Sequence, residues 1–143
     1  MNTLDLASLD TVAACDAGAE LELRHPTTDA PLDIWISILG RDSQAFKEYT
    51  RQSINTRLRK EAMNRKRGRD PEVATVEAAE EDSTAALVAC STGWRTGDVR
   101  TLLFKGEELA FTAQNALLVY NALPWIKRQV DEGIGDLANF LKT

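Results

Sequence analysis

The feature that most constrains this chain is a change of hydrophobic period at Gly40. Upstream of it, Leu21 and Leu23 alternate with Glu20, Glu22 and Arg24, and Leu32, Ile34, Ile36 and Ile38 alternate with Asp33, Trp35 and Ser37. Period two with β-branched residues gives each of two strands one apolar face. Between them, His25-Pro26-Thr27-Thr28-Asp29-Ala30-Pro31 carries two prolines and short polar side chains, which suit a loop longer than a two-residue turn. The expected unit is an antiparallel hairpin over about Glu20 to Leu39. Such a pair is marginal alone, so its apolar face needs helices to cover it.

Downstream the spacing becomes helical. Asp42 or Ser43 is placed to cap a helix through Phe46, Tyr49, Ile54 and Leu58 that continues into a polar, basic tail. Asp70-Pro71-Glu72 reads as a second helix start, with Val73, Val76, Leu87, Cys90 and Trp94 near one face and a stop near Gly93. Leu102 to Phe111 suggests a short strand or extended turn around Gly106, and Thr112 a cap for a helix over Ala113 to Ala122. Pro124 opens a last helix whose Ile126, Val130, Ile134, Leu137 and Leu141 form one stripe. Gly133 and Gly135 interrupt that stripe, which requires either a close neighbour or a break. The expected fold class is α+β: an N-terminal antiparallel β-hairpin packed on a mainly helical domain of four or so helices. Residues 1–19 would be an N-terminal arm, and 20–143 a single domain with a charged connector near 64–70.

With 143 residues, 43% of them hydrophobic, the chain supports one ordinary core. No apolar run approaches the roughly 18 residues of a membrane span. The first twenty residues contain Asp5, Asp10, Asp16 and Glu20 but no Lys or Arg, unlike a secretory signal, so a cytoplasmic protein is expected. Cys15 and Cys90 have no ligand-spaced neighbours and read as reduced, apolar thiols, with a disulfide between them left open.

Side chains able to carry chemistry are scarce. His25 is the single histidine and precedes a proline in a turn; no GxSxG elbow accompanies it. Glu80-Glu81-Asp82 points in successive helical directions and lacks calcium-loop spacing, Gly133-x-Gly135 lacks a third glycine, and no GxxxxGK[ST] occurs. No catalytic residue, cofactor or metal site is expected, and an enzyme lacks residues to carry it. The charge pattern is stronger. From Arg51 to Arg69 there are eight basic residues, including Arg57, Arg59 and Lys60, against Glu61 alone; from Asp70 to Asp82 there are six acids and no base. Two helices folded back on each other with opposite charges facing is one reading, and a phosphate contact is the other. The adjacent acidic block and the lack of interleaved aromatics argue against nucleic acid. Trp35, Trp125 and Phe140 are the candidate aromatic contacts, because large aromatics concentrate interface energy.

The C-terminal third, with Gly93-Trp94, Leu109 to Ala116 (LAFTAQNA), Leu123 to Val130 (LPWIKRQV) and Gly135 to Leu141 (GDLANFL), together with the hairpin from Leu21 to Ser43, resembles the tail assembly chaperones of long-tailed bacteriophages and prophages. The resemblance spans about residues 20 to 141. It implies a non-enzymatic helper in the host cytoplasm that binds the tape measure protein, helps recruit tail tube protein, associates with itself, and is not retained in the mature virion. A minor structural tail protein and a nucleic-acid-binding regulator using residues 51–69 are the alternatives.

Overall fold

A computed structural model describes residues 3–68 and 75–141. The expected hairpin is present: β1 (Ala19–Arg24) pairs antiparallel with β2 (Pro31–Ile38) through Ala19↔Ile38 and Leu21↔Ile36. The loop between them is held by His25, whose exposed ring accepts the Thr27 and Thr28 amides through Nδ1 at 3.2 and 3.3 Å. A third strand, β3 (Ser91–Thr96), pairs with β2 on the other side and gives the order β1-β2-β3. The sequence assigned Gly93 and Trp94 to the end of a helix; here they are strand residues, and the helix stops at Ala89. The apparent 3.6-residue stripe through Leu87, Cys90 and Trp94 crosses that boundary. All three side chains are buried, the first from a helix and the last from a strand.

Five α-helices and two small sheets make up the described chain, more than the four or so helices and single hairpin expected. Helix α1 (Thr11–Ala17) is capped by the Asp10 carboxylate. Ser43 caps α2 (Gln44–Lys66) by accepting the Phe46 amide at 3.2 Å. The expected start at Asp70-Pro71-Glu72 lies outside the described residues; the following helix, α3, runs Val76–Ala89 with Thr75 as its cap. Three residues of the expected connector, Asn64 to Lys66, belong to α2, while residues 69–74 are not described.

Strands β4 (Thr101–Phe104) and β5 (Glu107–Ala110) form the second sheet. They join through Lys105-Gly106, both at positive φ (51° and 81°), the backbone that two-residue hairpin turns require. This hairpin docks on Trp94, whose indole Nε1 donates to the Leu109 carbonyl at 2.9 Å and whose ring meets Phe111 edge-on at 5.1 Å. Thr112 caps α4 (Ala113–Ala122), and Pro124 opens α5 (Pro124–Gly135), as the sequence suggested.

The core lies between one face of the three-stranded sheet and α3, α4 and α5. Leu23, Ile36, Ile38 and Trp94 contribute from the sheet; Leu87, Ala116, Val119, Tyr120, Ile126, Val130 and Ile134 come from the helices. In α5 the stripe holds only through Ile134. Gly133 lets the helix approach the sheet closely: a Cβ there would sit 3.0 Å from Leu21 Cδ2 and 3.2 Å from Ile38 Cδ1. The helix then ends at Gly135, so Leu137 falls in a 3₁₀ turn (Leu137–Asn139) and is exposed. At the edge of the sheet, the Gln129 side chain accepts the Arg24 amide and donates to the Arg24 carbonyl, both at 2.8 Å, occupying the groups another strand would use.

The first residues are tied to this body. Cys15 is fully buried, and the Gly40 amide donates to its carbonyl at 3.2 Å. Asp16 accepts the Gln44 amide at 2.7 Å, adding a second cap to α2. Cys90 is also buried, its carbonyl accepts the Leu39 amide at 2.7 Å, and both cysteines are free thiols.

Candidate binding surface

The outer face of the three-stranded sheet carries Glu20, Ser37 and Gly93 in one row and Glu22, Trp35 and Arg95 in the next. Trp35 is half-buried because the Arg95 guanidinium lies over its ring at 4.8 Å and its Nε1 donates to Asp33 at 3.1 Å. Arg95 is fixed in turn by Glu20 at 2.7 Å and by the Gly97 carbonyl, and the Glu20 carboxylate holds it firmly protonated. Trp35 therefore already has a cation on one ring face. Trp125 is half-buried near the start of α5, and Phe140, at 8% exposure, belongs to the core beside Gly40. Phe140 is thus not presented as a surface contact.

The basic residues behave differently. Helix α2 is about 34 Å long at 1.5 Å per residue, yet it contains no buried residue. Its inner half is held by capping at Ser43 and Asp16 and by Tyr49, whose hydroxyl meets the carboxylate and carbonyl of Asp82 on α3; Ser53 Oγ donates to the same carboxylate at 3.3 Å. Burial and the Asp82 carboxylate together push the Tyr49 hydroxyl up to about 12, so it remains a donor across the neutral range. Arg51 grips Glu48 one turn back at 2.6 Å and pulls that carboxyl below the usual carboxylate range.

Beyond Ser53 the support stops. From Ile54 to Lys66 every residue except Asn64 is exposed, including Arg57, Arg59 and Lys60. Ile54, Leu58 and Met63 are 42%, 55% and 46% exposed. Opposite them, α3 is exposed from Val76 to Ser83 and carries Glu77, Glu80, Glu81 and Asp82. The sequence suggested charges of the two helices facing each other. Among the described residues, no ion pair joins them, and their polar contacts stop at Asp82.

Along the other side of α2's inner half runs a shallow groove of about 470 Å³ lined by Arg41, Phe46, Lys47, Thr50, Arg51, Ile54 and Asn55. Phe46 and Ile54 give it an apolar floor, and Arg41, Lys47 and Arg51 a basic rim. Arg41 is steadied by Asp131 of α5 at 3.1 Å. The sequence named Phe46 and Ile54 only as positions along a helix. Arg41 lay outside the basic run, so the groove was not visible without the fold.

Among the described residues there is no group of three His, Cys, Asp or Glu side chains placed to hold a metal, and no helix is long and apolar enough to cross a membrane. No protein-family model, no curated protein and no solved structure matches this chain.

Proposed function

We propose that this protein is a non-enzymatic assembly chaperone of the phage-tail type, which binds a helical segment of the tape measure protein in the host cytoplasm and helps recruit tail tube protein. The observation that carries the reading is the groove on α2: an apolar floor of Phe46 and Ile54 inside a rim of Arg41, Lys47 and Arg51. Such a groove fits an amphipathic helix that presents apolar residues one turn apart with acids flanking them. The resemblance of residues 20–141 to tail assembly chaperones supplies the identity of the client. A nucleic-acid regulator is less well supported, because exposed acids of α3 stand beside the basic helix and no aromatic lies between Ile54 and Lys66 for base stacking.

Co-expression with tape measure fragments tests it. The expected result is a rise in the soluble yield of one helical fragment and a complex that survives size-exclusion chromatography at moderate salt. Ile54→Asp changes an exposed side chain in the groove and should abolish both without changing the helical circular dichroism. An unchanged client yield with the parent protein refutes the chaperone reading. A salt-steep gel shift with phage DNA, lost on reversing Arg57, Arg59 and Lys60, would put the regulator in its place.

A further inference from the structure

The segment ahead of α1, Thr3 to Asp10, carries three exposed leucines, Leu4, Leu6 and Leu9 at 64%, 76% and 38%, together with Asp5 and Asp10 and no base. Leu6 to Leu9 form a 3₁₀ turn capped by Asp5, and Asp10 both ends that turn and caps α1. At three residues per turn, Leu6 and Leu9 share one face with a carboxylate at either end. That is the chemistry the α2 groove accepts: apolar residues one turn apart on Phe46 and Ile54, flanked by acids for Arg41, Lys47 and Arg51. Of these cations, Lys47 is in no ion pair among the described residues.

The same segment is rooted beside the groove. Asp16 accepts the Gln44 amide at 2.7 Å and the Cys15 carbonyl accepts the Gly40 amide at 3.2 Å, so α1 is fastened where the groove begins at Arg41. Asp10 and Asp16 are about 9 Å apart at 1.5 Å per residue, which puts Asp10 no more than about 15 Å from the Gln44 amide. From Asp10, Leu4 lies about 15 Å away with the 3₁₀ turn intact and about 20 Å away with it extended. Folding back about Asp10 therefore brings the leucines to the Phe46 end of the groove.

We infer that residues 3–10 are a strap that closes over the α2 groove, an internal occupant that the client has to displace. The strap is open in this structure: its leucines are exposed and none of its residues lines the groove. Closure leaves α1 docked through Cys15 and Asp16. The tether supplies an effective concentration in the millimolar range, so a contact too weak to hold the segment as a free peptide still competes within the chain. Its ionic part is exposed and weakens with added salt. The inference rests on the function proposed above only for what the strap excludes.

A nitroxide attached through Thr3→Cys tests it in the full chain. Cys15 and Cys90 are buried, so the exposed new thiol is labelled selectively. At about 50 mM salt, where screening is weak, the label should broaden the amide signals of Lys47, Thr50 and Ile54. The broadening should disappear when Leu4→Ser/Leu6→Ser/Leu9→Ser is added, with helical circular dichroism and melting temperature unchanged. Broadening confined to α1 and its contacts, or groove broadening that survives loss of the leucines, overturns the inference. The unlabelled triple variant should also bind the helical tape measure fragment at least about threefold more tightly, as expected for a groove closed about two-thirds of the time. Equal affinity in variant and parent overturns the strap as a competitor. Failure of every fragment to bind either protein refutes the chaperone reading instead, and the strap is then decided by the broadening alone.

Discussion

Replacing Gly40 by alanine should detach α1 from the domain. A Cβ at Gly40 would lie 2.1 Å from Cys15 Sγ and 2.7 Å from Cys15 Cβ, with Phe140 Cδ2 at 3.2 Å on the other side. No rotamer of Cys15 relieves the second contact, since Cβ is fixed by the backbone. Helix α1 must therefore move by an ångström or more. That movement exposes the fully buried Cys15 and breaks the Gly40 amide bond to the Cys15 carbonyl and the Gln44 amide bond to Asp16. Burial of one small apolar side chain and two hydrogen bonds at about 1 kcal/mol each gives a loss of about 3 kcal/mol. For a domain of this size that corresponds to a fall in melting temperature of about 10 °C. Cys15→Gly combined with Gly40→Ala removes both colliding atoms. The double variant keeps the helix docked and loses only thiol burial and some helix propensity, so it should be more stable than Gly40→Ala alone by about 1 kcal/mol. Urea denaturation of the four proteins completes the cycle. A Gly40→Ala protein as stable as the parent, or a double variant less stable than the single, would refute the docking of α1.

Other outcomes follow from single contacts. Gln129→Ala leaves the Arg24 amide and carbonyl at the sheet edge without partners and should cost about 1–2 kcal/mol in urea unfolding, with faster exchange of the Arg24 amide by NMR. Stability should fall in alkali: burial raises Tyr120 from 10.0 to about 12 and Cys90 from 9.0 to about 11, so the unfolded chain releases these protons first. Their contribution is complete below about pH 9, erodes above it, and is gone by about pH 12, on the order of 2 kcal/mol for Tyr120 alone. Melts across that range check it, and a flat profile contradicts it. Native Cys15 and Cys90 should resist a thiol reagent at neutral pH and react fully in urea, because both are buried and no cation lowers the Cys90 thiol enough to offset its burial.

The first hairpin was legible because alternation over Leu32 to Ile38 leaves one apolar face that only a strand can present. The caps at Ser43 and Thr112 were equally readable, since each is a short hydroxyl just before a helical pattern. Strand β3 was not, because Ala-rich α3 runs into it with only Cys90 between and its Trp94 happens to fall in helical register with Leu87. The turn signal at Gly93 marks a strand residue opposite Ser37, where lack of a side chain leaves open space. For the surface, the charge along Arg51 to Arg69 marked out most of the segment that forms α2. The groove depends on Arg41 meeting Phe46 and Ile54, a proximity across the α2 cap that linear spacing does not encode. Of the aromatic candidates, Phe140 lies in the core although it is near the end of the described residues, because Gly40 leaves room for it there.

Because α2 contributes no buried side chain, substitutions in its outer half are invisible to the core. Insertion or loss of a helical turn there would change its reach by about 5.4 Å without altering any packing contact of the sheet or of α3 to α5. The length and charge of this outer half are therefore free to change without change to the packing that sets the fold.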